Sequence, residues 1–233
     1  MIAQNVKSLR DRIIKRCNET GRDSNEIKLI AVSKTFGTSE IEKVFNEGIE
    51  DFGENKAQEL SGKFEQMGDK IVWHFIGHLQ RNKVRIVVPA AVYIHSVDSL
   101  QLASEINKYA AKDNKIQKIL LQVKTSEEES KFGIENRSEL LDLARYCKDF
   151  SNIQLEGLMT IAPFTEDESL IRQSFKHLRN LKDNLNSEGL NLKELSMGMT
   201  SDFEIAIEEG ATMLRIGSAI FGERDYSKDW KDS

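Results

Sequence analysis

Over the first twenty residues apolar side chains recur at helical spacing. Val6, Leu9, Ile13 and Cys17 are 3, 4 and 4 apart with charges between them, which predicts an amphipathic helix over 1–20. A different rhythm then begins. Short runs with β-forming composition occur at 27–33, 50–53, 71–77, 91–97, 116–124, 153–161, 194–197 and 212–217. Between them lie helical stripes: Ile41, Val44, Phe45; Leu102, Ala103, Ile106, Ala110; Leu140, Leu141, Ala144, Cys147; and Ile171, Phe175, Leu178, Leu181, Leu185. Their spacings are those of helices that pack one face on a sheet. Ser39 with Glu42 and Ser201 with Glu204 have the spacing of reciprocal capping pairs, predicting helix starts directly after the first and seventh strands.

Strands alternating with helices build parallel sheets, because a parallel crossover needs an intervening element. Eight such units predict an α/β fold, a closed (β/α)8 TIM barrel in a single domain over 1–233, with the extra helix in front and a polar tail at 225–233. An open doubly wound sheet is the competitor. No Gly-x-Gly-x-x-Gly turn follows the first strand, so its dinucleotide-binding version loses support.

Composition narrows the function. An apolar share of 39 % with 14 glycines is that of a globular chain, which excludes disorder and fibre. The net charge is -5 (33 basic minus 38 acidic residues) with no basic block, so no nucleic-acid partner is expected. The longest run without a formal charge, Ile86 to Val97, has 12 residues and contains Pro89, too short to span a bilayer; no membrane partner is expected. Lys7, Arg10, Arg12, Lys15 and Arg16 interrupt the N-terminus, which lacks the apolar core of a secretion signal, so a cytoplasmic location is expected. Cys17 and Cys147 suggest neither a disulfide framework nor a zinc site, and read as small buried apolar residues.

In a barrel, chemistry sits at the C-terminal ends of the strands. Those ends offer Lys34, Asn55, Gly77, His78, Ser96, Lys124, Thr160, Gly198 to Ser201 and Arg215 to Ser218. Lys34 follows an apolar run. Partial burial would lower its pKa and make it a nucleophile toward an aldehyde, while the plainer alternative is a lysine reaching from a strand end to solvent. The turns Gly198-Met199-Thr200-Ser201 and Ile216-Gly217-Ser218-Ala219 lie where barrels often hold phosphate, or are ordinary βα turns. Arg215 could meet a phosphate, a ring or a carboxylate. His74, His78 and His95 could converge on a metal, although His74 and His78 do not share a helix face. Trp73 and Phe75 are expected in the core. Glu127 to Glu129 suggest a solvated loop able to act as a lid, and Trp230 could pin the tail.

The stretch Trp73-His74-Phe75-Ile76-Gly77-His78-Leu79-Gln80-Arg81-Asn82-Lys83 resembles the signature of the pyridoxal phosphate homeostasis protein family, small barrel relatives of alanine racemase. Ala31-Val32-Ser33-Lys34-Thr35, Phe52-Gly53-Glu54-Asn55, Gly157-Leu158-Met159-Thr160, Leu195 to Met199 and Arg215 to Gly222 follow the same pattern, so the resemblance runs from Ile27 to Arg224. It implies a fold type III barrel holding pyridoxal 5'-phosphate as a Schiff base on Lys34. Thr200, Ser201, Gly217 and Ser218 would bind the phosphate, Asn55 would lie near the cofactor, and Arg215 would face the pyridine nitrogen. The sequence departs from the family at Phe36-Gly37, where a proline is usual, at Lys56 for tyrosine, at Lys124 for asparagine and at Thr200 for serine. Lys56 and Lys124 are expected to add positive charge at the barrel mouth. The implied function is a non-catalytic carrier in vitamin B6 homeostasis, with pyridoxal phosphate-dependent apo-enzymes as recipients and a monomeric state. The alternative is a minimal racemase-like enzyme. Arg215→Glu is expected to alter retention or spectrum of the cofactor with little loss of fold.

Overall fold

A computed structural model describes residues 1–126 and 132–222. Eight strands, β1 Lys28–Val32, β2 Asp51–Glu54, β3 Val72–Phe75, β4 Tyr93–Val97, β5 Gln117–Gln122, β6 Ile153–Met159, β7 Glu194–Ser196 and β8 Met213–Ile216, pair in sequence order into a closed parallel barrel. Register fixes the closure: β1 pairs Lys28 with Met213 and Ala31 with Ile216 on β8, and Ala31 with Phe52 on β2. Each expected run contains its strand or lies within one residue of it, usually ending one or two residues too long, because the apolar pattern continues into the turns. The helices are α1 Ile2–Glu19, α2 Thr38–Asn46, α3 Ala57–Met67, α4 Val84–Ala90, α5 Leu100–Lys112, α6 Arg137–Asp149, α7 Glu168–Ser187, α8 Phe203–Glu208 and α9 Ser218–Phe221.

Strand alternation divides the side chains into two sets. Ile30, Tyr93, Leu120, Met159 and Met213 point inward and form a small cluster inside the barrel. Neighbours in sequence such as Ala31, Ile94 and Leu158 face the helices in the larger core together with Phe52, Trp73 and Phe75, and Trp73 and Phe75 are fully buried as expected. The predicted N-terminal helix is α1, and all four of its stripe residues are buried. Asn5 Nδ2 donates to the Ile220 carbonyl at 3.0 Å and Arg10 to the Gly48 carbonyl at 2.9 Å, tying α1 to both sides of the β8–β1 seam.

Three expectations need correction. Gly37 is the N-cap of α2, so Ser39 is already the second helical residue, and α8 starts after Asp202 rather than Ser201. Neither capping pair forms; side-chain caps occur instead at Asn136 and Asp167, each accepting from the backbone N–H two residues on. Helices α3 and α4 were not anticipated. Two buried positions of α3, Glu59 and Lys63, are charged and disguise its apolar stripe, while Val84, Val87, Val88 and Pro89 in α4 read as strand or breaker. Cys17 and Cys147 are buried free thiols, and burial pushes the Cys147 thiol up to about 12. Among the described residues no helix is long and apolar enough to cross a membrane. The expected lid at Glu127 to Glu129 and the tail with Trp230 lie outside the described residues.

Candidate functional site

A cavity of about 750 Å³ opens at the C-terminal ends of the strands, and Lys34, Asn55, Thr200, Ser201, Arg215, Gly217 and Ser218 all line it. They come from four neighbouring staves, β7, β8, β1 and β2, so the sequence-distant positions 34 and 218 meet because β1 pairs with β8. Lys34, Lys124 and Arg215 contribute cationic side chains, and among the described residues no carboxylate lines the space. Such a lining favours an anionic or aldehyde-bearing guest.

Lys34 lies two residues beyond β1, in a turn closed by the Phe36 N–H on the Ser33 carbonyl at 3.0 Å. It is half-buried and keeps the parity of the inward Ile30 and Val32, which carries it to the cavity wall. The next residue, Thr35, has φ +72°, a left-handed conformation costly for a β-branched side chain. Its N–H donates to Glu59 Oε1 at 2.6 Å. Behind the turn, Lys63 Nζ donates to the Ser33 carbonyl at 2.9 Å and to Glu54 and Glu59 at 2.7 Å each, and Ser33 donates to Glu54 at 2.6 Å. Phe36 stacks on Phe221 with ring centroids 4.7 Å apart, linking the Lys34 turn to α9.

Burial raises the Glu54 carboxyl to about 7, against the opposing pull of the Lys63 ammonium. A carboxyl with a raised folded pKa binds its proton more tightly in the folded state, so its contribution is present at low pH and lost as pH rises from about 4.5 through 7. Between pH 5 and 8 this amounts to about 2 to 3 kcal/mol by linkage. Glu54→Gln keeps an acceptor for Lys63 and Ser33 and removes the titration. Urea unfolding of both proteins across that range is expected to show the wild type losing stability relative to the variant as pH rises. A constant difference would place the Glu54 pKa outside the window.

The two small-residue turns face each other. Ala219 N–H donates to Thr200 Oγ1 at 3.4 Å, bridging the β7 and β8 turns. The backbone N–H groups of Thr200, Ser201, Gly217 and Ser218 have no protein acceptor among the described residues, and three hydroxyls stand beside them. Gly198, at φ +93°, lets the β7 turn fold against α8, since a Cβ there would approach Ala206 Cβ to 2.6 Å. Gly77 packs so closely on Asn55 that a Cβ would overlap its backbone carbonyl, which fixes Asn55 at the cavity edge.

Arg215 is 5 % exposed. It donates to Ser196 Oγ at 2.6 Å and to the Thr160 carbonyl at 2.8 Å; burial pulls its pKa down to about 10, leaving it a cation at neutral pH. The three histidines do not converge. His74 and His95 lie inside the barrel with Nδ1 and Nε2 2.9 Å apart, whereas His78 stacks on Phe132 at the mouth, at 3.9 Å between centroids. Burial lowers the pKa of His74 and lowers that of His95 further. Among the described residues no cluster of three or more His, Cys, Asp or Glu side chains could hold a metal. Ser96 and Thr160 are buried behind the cavity rather than lining it. Lys124 does line it and pairs with Glu135 at 2.6 Å, but Lys56 is exposed at the start of α3 and does not reach it. The sequence reading missed Ile161, Phe132 and Phe164, which form an apolar side of the cavity. Ile161 was recoverable from the inward parity of Met159; the loop phenylalanines carry no periodic signal.

Comparison with known proteins decides the family. The model of the alanine racemase N-terminal domain matches residues 2–225. The chain belongs to this family. A pyridoxal phosphate homeostasis protein of Aquifex aeolicus is 44 % identical over 93 % of this chain and 95 % of its own. One from Escherichia coli is 39 % identical over 97 % and 98 %. The structure of PipY from Synechococcus elongatus with pyridoxal phosphate bound has 33 % identity and a TM-score of 0.85, covering 95 % of this chain and all of the other. Alanine racemase of Clostridium difficile shares the fold at 16 % identity and a TM-score of 0.76, and this chain spans 59 % of its length. Within the family, this chain therefore groups with the homeostasis proteins.

Proposed function

We propose that this chain is a pyridoxal phosphate-binding protein of vitamin B6 homeostasis, which holds the cofactor and passes it to apo-enzymes without turnover of its own. One observation carries the reading: an amine, three hydroxyls on two facing turns, and an arginine line a single cavity in which, among the described residues, no carboxylate takes part. The donor set suits the cofactor. The N–H groups of Thr200, Ser201, Gly217 and Ser218, which have no acceptor among the described residues, and the Thr200, Ser201 and Ser218 hydroxyls suit its phosphate. Asn55 Oδ1 is buried with no donor among the described residues and suits a ring hydroxyl. When bound, pyridoxal phosphate supplies an aldehyde that condenses with an amine and releases water.

Within that site Lys34 is the amine, held at the wall by the strained turn and the Glu59 hydrogen bond. The Thr200, Ser201 and Ser218 hydroxyls orient the phosphate. Arg215 faces the ring nitrogen and, unable to give up its proton, keeps that nitrogen unprotonated. A weak electron sink results, which favours carriage over racemisation. The buried free thiols of Cys17 and Cys147 accord with a reducing, cytoplasmic compartment.

The test is borohydride reduction of the protein incubated with pyridoxal phosphate, followed by peptide mass spectrometry. The expected result is a stable adduct on the peptide containing Lys34, absent from Lys34→Ala. No adduct, or one on another lysine alone, overturns the assignment. Steady conversion of a free amino acid, abolished by Lys34→Ala, would make the protein an enzyme instead.

A further inference from the structure

A chain of hydrogen bonds crosses the barrel interior from its opposite face to Arg215. Asp51 Oδ1, on β2, lies 2.8 Å from His74 Nε2. His74 Nδ1 is 2.9 Å from His95 Nε2, and His95 Nδ1 is 2.9 Å from Ser196 Oγ. Ser196 Oγ is 2.6 Å from Arg215 Nη1. His74, His95 and Ser196 are wholly buried, and His74 stacks on Tyr93 at 4.8 Å.

Chemistry gives this chain one direction. A carboxylate accepts, so His74 donates through Nε2, and in the neutral ring its Nδ1 accepts. His95 then carries its proton on Nε2 and accepts at Nδ1. Ser196, whose hydroxyl must receive the Arg215 N–H, donates its own proton to His95. A protonated His74 would donate to His95 Nε2 and turn the chain around, leaving the His95 proton on Nδ1 toward Ser196; burial, which lowers the pKa of both histidines, favours the neutral rings and the first direction.

We propose that Asp51 sets the tautomers of His74 and His95 through this relay and thereby fixes the pose of Arg215 at the cavity. Asp51, His74, His95 and Ser196 are positioning residues. With Asp51 present, Ser196 turns its lone pairs to Arg215. With the tautomers released, His95 can offer Nδ1–H to the same oxygen, so the buried Ser196 hydroxyl loses the acceptor of its own proton and reorients beneath the guanidinium. The effect on the cofactor rests on the proposed function; the tautomer assignment does not.

The experiment is a long-range 1H–15N correlation of the histidine rings in the uniformly labelled full-length protein at pH 7, free of pyridoxal phosphate. The wild type and Asp51→Asn, which keeps an acceptor, are expected to show both rings neutral and protonated on Nε2. Asp51→Leu is expected to give a mixture in His95 and to weaken pyridoxal phosphate retention about fivefold or more, the lower edge of usual site-to-site coupling. Ser196→Ala should weaken retention while leaving both tautomers as in the wild type. Either ring appearing as Nδ1–H or imidazolium in the wild type overturns the proposal, even if Asp51→Leu fails to fold. So does an Asp51→Leu spectrum with unchanged tautomers, or a Ser196→Ala variant with wild-type retention. A wild type with the expected tautomers that takes up no pyridoxal phosphate would instead sink the carrier reading and the link to Arg215, leaving the tautomer assignment standing.

Discussion

Lys63→Met is expected to destabilise the protein by about 3 to 5 kcal/mol, because it removes the cation from a buried group of charges. Lys63 is fully buried and Glu59 and Glu54 are at most 3 % exposed, so water cannot replace the lost ammonium. The Ser33 carbonyl loses its donor as well. Partial rescue is expected from adding Glu54→Gln, since without Lys63 the buried Glu54 must take up a proton at neutral pH at a cost that glutamine does not carry. Denaturant titration of the single and double variants checks this; equal stability of Lys63→Met and wild type, or no recovery in the double variant, would show that the group is not coupled. The same substitution reaches the site. Glu59 holds the Thr35 N–H, and without Lys63 to orient it the turn that presents Lys34 loosens, so borohydride-fixed adduct should fall more steeply than the folded fraction.

This buried group also marks where sequence reading ran out. The staves were legible because β-branched runs alternate with helical stripes, and strand-end positions carried the candidate site to the cavity at all seven residues. Glu54, Glu59 and Lys63 were not legible as a unit. Glu54 ends β2, whereas Glu59 and Lys63 lie in α3, whose apolar stripe they disguise, and only the packing of α3 over the β1 turn brings the three together. The His74–His95 contact was hidden for a related reason: two histidines on neighbouring strands suggest a metal pair until the register places one nitrogen against the other. The role of Phe36 was likewise invisible, since its partner Phe221 is remote in sequence and meets it only through the β1–β8 seam. Pattern along the chain reports which face is buried, whereas these features depend on which strangers in sequence become neighbours across the closure.

Arg215→Glu is the second large effect, and burial changes the expectation drawn from sequence. A surface-like arginine could be reversed with little cost, but this one is 5 % exposed and donates to two groups, one of them a carbonyl. A carboxylate in its place would face the Thr160 carbonyl, acceptor against acceptor, in a space with little water. A loss of about 3 kcal/mol or more is expected, as for other unpaired buried charges, measurable as a lowered denaturation midpoint. Arg215→Gln, which keeps one donor group, should lose less. The cofactor reports separately from stability. On the proposed placement of Arg215 opposite the ring nitrogen, a glutamate there would favour a proton that the arginine disfavours, so the absorption of bound pyridoxal phosphate should shift in the folded fraction of Arg215→Glu and stay near wild type in Arg215→Gln. Identical spectra and affinities in all three proteins would mean that the guanidinium serves the barrel wall alone and does not face the ring.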